Sequence, residues 1–171
     1  MKNRSRYIAH AAIFAALYVA LTHFQNLLLP GSATWAIQVR LSEALCVFAF
    51  FTPAAIPGLT LGCLLFNLTF SAALPLDFLA GSLATFLAAH GMWHTRHLKC
   101  FRLPLPGLLM PALTNAILVG WELAVYIGGG FWLNAFYVAL GELIALLIPG
   151  TVLYHAISRR RLNRMLFYRE G

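Results

Sequence analysis

Apolar residues fill this chain in long runs, separated by short clusters of proline, glycine and charge. A transmembrane helix needs about 20 mostly apolar residues. The first run meets that length over 7–29 and is closed by Pro30-Gly31. A polar-aromatic loop follows, SATWAIQVR. The next run, 42–73, is too long for one helix, and TPAAIP at 52–57 divides it because each proline removes a backbone donor. Its halves, about 42–52 and 56–73, are short, which predicts tilted or partly interfacial segments. A fourth span is predicted over 76–95. Pro104 and Pro106 reopen the chain, and a fifth span follows over 107–127. Gly128-Gly129-Gly130 makes a loop before the sixth, 132–156. The pattern predicts an all-α fold, a polytopic membrane bundle of six transmembrane helices. It forms a single integral-membrane domain over 1–171, with a basic tail at 1–6, the bundle at 7–156 and a basic tail at 157–171. Basic residues before an apolar run also resemble a signal peptide. The first run is long enough to span, however, and more spans follow, so it reads as a retained first helix.

Charge placement orients the bundle. Lys2, Arg4 and Arg6 precede the first run, Arg96, Lys99 and Arg102 fill one interior gap, and Arg159, Arg160, Arg161, Arg164 and Arg169 follow the last run. Six spans put all three clusters on one side, where the positive-inside rule places the cytoplasm. Both termini are therefore expected in the cytoplasm, and the loops at 30–41, 71–76 and 128–131 outside. Only Arg40 stands apart, on the outer side with Glu43.

Composition agrees. The 171 residues are 61% hydrophobic and 10% charged, against about 25% charged in soluble domains, and mean hydropathy is +0.78. A pI near 9.8 invites a nucleic-acid partner, but basic clusters confined to span ends argue for topology instead, and no nucleic acid is expected. Cys46, Cys63 and Cys100 are odd in number and lack CxxC spacing, so they read as small packing residues.

The chemistry lies in polar residues placed in the wrong solvent. Of five acids, only Glu170 sits in a water-exposed tail; Glu43, Asp77, Glu122 and Glu142 lie within or at the head of apolar spans. A carboxylate at the bilayer centre costs roughly 2.5–3.5 kcal/mol on insertion scales. Glu142, near the midplane, bears that cost unless it is paired, hydrated or protonated. Asn134, Val138 and Glu142 share a helix face, as do Asn115, Glu122 and Tyr126. Asn67 lies in the outer half of the third span, Asp77 heads the fourth, and Gln38, Arg40 and Glu43 head the second. Singly, each has an ordinary explanation: an i,i+3 surface pair for Arg40–Glu43, a helix–helix hydrogen bond for any asparagine. Together they predict a wet cavity open to the outside. Trp35, Trp121, Tyr126 and Trp132 are candidate walls, with the interfacial aromatic belt as the competing account. Such a pocket suits a small, polar, planar ligand. A carboxylate can accept from two adjacent N–H groups of a guanine-like edge, and a second acid suits an attached amine. Other small amines and amides fit equally.

Two further patterns stay open. Ala12, Ala16 and Ala20 form a small-residue stripe with Ala11 and Ala15 alongside, and Gly58 and Gly62 form a GxxxG; both suit close helix approach, within the bundle or against another membrane protein. His90, His94 and His97 have metal-like spacing, but they lie beside basic residues at a span end, where solvated histidine is common, so no metal is expected. No set converges for nucleophilic catalysis, no cofactor is called for, and no glycine-rich phosphate loop opens a helix. Active transport would need an engine on another chain.

The stretches IQVRLSEAL (37–45), GLTLGCLLFN (58–67), DFLAGSLATFLAA (77–89), PALTNAILVGWEL (111–123) and FWLNAFYVALGEL (131–143) resemble, in order and spacing, the QueT family of queuosine-precursor transporters. These are substrate-binding (S) components of energy-coupling factor (ECF) transporters. Val39 and Ser82 depart from the phenylalanine and threonine expected there. The resemblance implies a six-helix S component of the bacterial cytoplasmic membrane. It also implies a transmembrane coupling protein with two ATPase subunits as partner, and preQ1 or preQ0 as substrate. It maps docking onto Ala12, Ala16 and Ala20. The outer polar set read above, Trp35, Gln38, Arg40, Glu43, Asn67, Asp77, Asn115, Glu122, Tyr126, Asn134 and Glu142, supplies the expected substrate-binding residues. Arg40 is expected to orient an acid, either Glu43 or Asp77. Nickel and cobalt S components carry an N-terminal histidine motif, whereas residues 2–4 here are Lys-Asn-Arg. Three alternatives remain: an S component for another vitamin-like molecule, a membrane enzyme using Glu122 and Glu142 as an acid/base pair, and an assembly protein whose basic tail binds anionic lipid.

Overall fold

A computed structural model describes residues 2–30, 39–70, 74–100 and 103–159. Helix α1 runs Lys2–Leu28, a 3₁₀ helix Leu41–Phe50, α2 Ala55–Thr69, and α3 Asp77–Thr95. A short α4 (Leu105–Leu108) leads into α5 (Met110–Tyr126). α6 (Phe131–Ala145) continues through a π turn, Leu146–Gly150, into α7 (Thr151–Arg159). The six apolar segments are present and in order. Among the described residues three helical stretches are long and apolar enough to cross a membrane: Arg4–Leu28, Leu105–Tyr126 and Phe131–Ser158.

Boundaries differ from the sequence reading where local chemistry shifts them. α1 starts at Lys2, so helix extends into the stretch expected as a basic tail. Pro111 sits in the first turn of α5, where its missing N–H costs no helix bond, and the chain restarts there after α4. Pro149 removes a donor inside the last span, and the ladder widens into the π turn instead of breaking. Gly128, Gly129 and Gly130 have φ of +89°, +85° and +83°, a conformation residues with a Cβ rarely adopt. Their tight turn sends α6 back along α5.

The second segment was expected to be a short span and forms a ten-residue 3₁₀ helix. At about 2.0 Å per residue it reaches roughly 20 Å, further than the same residues as α-helix but short of a ~30 Å hydrocarbon core. It touches α1, α2, α3, α6, the π turn and α7, while α1–α2, α2–α3, α3–α5 and α5–α6 pack side by side. The bundle is wrapped around it. Its three-residue period places Arg40, Glu43, Cys46 and Ala49 in one row, all buried.

The solvent logic is that of lipid. Ile8, Ile13, Leu17, Phe24, Leu79, Val125 and Ile148 are exposed, while Thr22, Gln25, Arg40, Glu43, Asn67, Asp77, Asn115, Glu122, Asn134 and Glu142 are buried. Hydrocarbon gives leucine no reason to hide and gives a polar group every reason to find a partner. An apolar cluster of Phe14, Tyr18, Val47, Phe50, Leu59, Met92, Leu108 and Tyr154 fills one part of the interior, and Val119, Leu123 and Val138 join α5 to α6.

Close helix approach resolves the small-residue patterns. A Cβ on Gly58 would lie 2.6 Å from the Ala11 carbonyl oxygen, and one on Gly62 2.6 Å from Tyr18 Cβ and 2.9 Å from the Ala15 carbonyl oxygen. Ala11 and Ala15 therefore pack on the GxxxG of α2. Ala12, Ala16 and Ala20 stand on the exposed side of α1. Gly62→Ala is expected to destabilise the bundle by about 1–3 kcal/mol, because backbone, not a flexible tip, must move. An unchanged melting temperature in detergent would refute this contact.

Candidate functional site

The four acids of the apolar spans converge around Arg40. Arg40 Nη2 lies 3.9 Å from Asp77 Oδ1, with both side chains almost fully buried. Of the two partners the sequence allowed, Asp77, which heads α3, forms the ion pair, and Glu43 also acts on the guanidinium electrostatically. Asp77 also folds back to accept from the Leu74 backbone N–H at 3.0 Å, which pins the entry to α3. Asn67 Nδ2, from the end of α2, donates to the Asp77 carbonyl oxygen at 2.8 Å. Gly81 leaves room for the Asn67 amide: a Cβ there would meet Asn67 Nδ2 at 2.9 Å.

Glu43 is held from another side. Tyr18 donates to its Oε1 at 2.5 Å and Thr85 at 3.5 Å, while the Cys46 thiol lies 3.3 Å from Oε2. Three helical segments therefore fix one carboxylate. Above it, α1 is laced to the start of the 3₁₀ helix. Thr22 Oγ1 and Ser42 Oγ are 2.7 Å apart, Gln25 Nε2 donates to the Val39 carbonyl, and Gln25 Oε1 accepts from Leu41 N–H at 2.7 Å.

Glu122 on α5 and Glu142 on α6 complete the group. Glu122 interacts electrostatically with Asp77 and Arg40, and Glu142 with Glu43 and Arg40. Two carboxyl pairs thus bracket one guanidinium. Glu122 is fully buried at 0% exposure. Among the described residues its oxygens make no hydrogen bond of good geometry, although the Asp77 carboxyl and the Leu76 backbone lie close enough to act on it, and Glu142 Oε2 makes none. Leaving a buried acceptor unmatched costs about 1–3 kcal/mol, more when it is charged. The arrangement holds spare acceptors and, when ionised, excess negative charge.

The remaining expected site residues divide. Asn115 donates to the Pro111 carbonyl at 3.0 Å and lies two turns from Glu122, toward the Met110 end of α5. Seven residues of helix set it about 10 Å from Glu122 along α5, nearer the level of Glu142, since Gly120 packs against Ala135 where α5 and α6 run antiparallel. Asn134 donates to the Gly128 carbonyl at 2.7 Å and ties α6 to the glycine turn. Tyr126, in the last turn of α5, is 43% exposed, with Val125 and Ile127 exposed as well. Trp121 and Trp132 are exposed too, Trp132 to 83%, as belt residues are and cavity walls are not. Trp35 and Gln38 lie outside the described residues. The four acids are buried.

Sequence reasoning passed over Tyr18, Thr22, Gln25 and Thr85. A signal existed: Tyr18, Thr22 and Gln25 are spaced i, i+4, i+7, a polar stripe in a span otherwise read for its alanines. Tyr18→Phe removes the donor closest to Glu43 and leaves a buried carboxylate short of one partner. A loss of about 1–3 kcal/mol in stability is expected. A thermal melt indistinguishable from the parent protein would exclude it. The histidines make local contacts: His94 Nδ1 pairs with the His90 carbonyl at 2.9 Å. Among the described residues no group of three metal-ligating side chains forms.

A family model described as QueT transporter matches residues 8–159. No curated protein and no solved structure matches.

Proposed function

The chain belongs to the QueT transporter family, and from that premise we propose that it is the substrate-capturing S component of an ECF-type importer for a queuosine precursor. The observation that carries the ligand class is the imbalance at the centre of the bundle. Four carboxyls face one guanidinium, and four of their buried oxygens, on Asp77, Glu122 and Glu142, make no hydrogen bond of good geometry among the described residues. A ligand that matches such a site brings several N–H donors and a positive charge. A 7-deazaguanine supplies adjacent donors that one carboxylate accepts as a pair, and the aminomethyl group of preQ1 adds the cation. The nitrile of preQ0 adds neither donor nor charge, so preQ1 is the favoured substrate.

Transport places the chain in the bacterial cytoplasmic membrane as a multi-pass protein. Its basic clusters support an orientation with both termini inside. The partners are a transmembrane coupling protein and two ATPase subunits. Ala12, Ala16 and Ala20 form the docking stripe: the packing role within the bundle is already taken by Ala11 and Ala15. Ala20 also borders an apolar groove of about 450 Å³ with Leu17, Leu21, Phe24 and Leu45.

The test is calorimetric titration of the purified protein with preQ1, preQ0 and, as an unrelated control, riboflavin. One-to-one binding that is tightest for preQ1 is expected. Equal affinity for preQ0 would remove the cation argument. No binding to either by a folded protein would remove the deazaguanine assignment.

A further inference from the structure

A second polar site lies at the other end of the bundle, away from the acids. Arg96, His97 and Lys99, in the turn after α3, join Tyr154 and Ser158 of α7 around a hollow of about 300 Å³. Phe50 and Phe51 form its floor with Tyr154, whose ring lies 5.8 Å and 5.6 Å from theirs. Arg96 is held in place: its Nη1 donates to the Trp93 carbonyl at 2.6 Å, and its guanidinium carbon sits 3.6 Å from the Trp93 ring centroid. This is a preset cation, not a freely sweeping surface arginine.

The hollow has no internal counter-ion among the described residues. The chain has five acids in all; four belong to the buried group around Arg40 and the fifth is Glu170 in the tail. Two permanent cations beside a hydroxyl and a phenol, over an aromatic floor, match a phosphate attached to an apolar body. The setting chooses the source of that phosphate. The helical stretch that supplies Tyr154 and Ser158 also presents Ile148 and Val152 outward, and Leu98 is exposed in the turn itself. An anion lodged here therefore sits where apolar protein surface meets the basic end of the bundle. We propose that this hollow binds the phosphate headgroup of an anionic phospholipid, with the acyl chains lying along the apolar face. The contact is directional, between named side chains and a phosphodiester, and is distinct from diffuse attraction of a basic tail to a charged leaflet.

Native mass spectrometry of the full-length protein, exchanged with equimolar phosphatidylglycerol and phosphatidylcholine, tests this. The parent protein should retain phosphatidylglycerol preferentially. Arg96→Gln/Lys99→Gln should reduce the phosphatidylglycerol-bound fraction at least fivefold; glutamine at 96 keeps a donor for the Trp93 carbonyl. Arg4→Gln/Arg6→Gln, which removes equal charge from the other described basic cluster, should leave retention unchanged. If the 96/99 variant fails to fold, Ser158→Glu places a carboxylate at the exposed rim without touching the Trp93 contacts and should give the same loss. Retention unaltered by these substitutions, or equally reduced by the 4/6 variant, overturns the proposal. Displacement of phosphatidylglycerol by millimolar inorganic phosphate identifies a free-anion site and overturns the lipid assignment.

Discussion

Glu122→Gln is expected to weaken preQ1 binding by about 2–5 kcal/mol, roughly thirtyfold to several thousandfold, while leaving the fold intact. Glutamine keeps the shape of the side chain. It replaces one acceptor oxygen with a donor and removes the charge that answers a cationic ligand. Neither Glu122 oxygen makes a hydrogen bond of good geometry among the described residues, and its electrostatic neighbours include the like-charged Asp77. Stability should therefore hold or rise as binding falls, the trade-off characteristic of a group retained for function. Glu142→Gln should behave similarly, because Glu142 faces Glu43 and has one oxygen without a partner among the described residues. Calorimetry and a thermal melt on the same preparations check both halves. A variant that loses stability along with binding would show that these acids hold helices together and leave the ligand site elsewhere.

Arg40→Met should act in the opposite sense, with stability falling first. The guanidinium is the partner of Asp77 in a nearly water-free interior. Breaking such a pair from one side costs about 3–5 kcal/mol, because a charge is left buried without compensation. Methionine retains much of the packing volume, so the loss reports on charge more than on a void. Asp77→Leu alone should also destabilise, by removing the acid that ion-pairs with the arginine and releasing the Leu74 N–H. The double variant should recover part of the loss, since removing both members of a buried pair is often nearly neutral. Melting temperatures of the four proteins in one detergent form the cycle. Strictly additive losses would mean that Arg40 and Asp77 do not act as a pair.

These two experiments separate what each acid does, and that division was only partly visible along the chain. Segment number and order were legible because hydropathy is a local property and lipid demands a nearly continuous apolar run for each span. The improbable placement of Glu43, Asp77, Glu122 and Glu142 was legible for the same reason: each is costly on its own, whatever surrounds it. The all-α class, the membrane setting and the main candidate acids thus needed nothing beyond the order of residues.

Pairing needed the fold. Tyr18 reaches Glu43 across 25 positions and Thr85 reaches it across 42, contacts that no helical or strand period encodes. The pairing of Arg40 with Asp77 depends on α3 lying against the 3₁₀ helix. Two rows of alanines on α1 are equivalent by spacing. Only the close approach of Gly58 and Gly62 decides that Ala11 and Ala15 face inward and Ala12, Ala16 and Ala20 outward. The 3₁₀ form of 41–50 was likewise not legible in the sequence: it is a short segment in contact with most of the other helices, and its own residues favour no such form. Hydrophobic pattern selects a solvent for each stretch, whereas hydrogen bonds and ion pairs select neighbours, and neighbours exist only once the helices have packed.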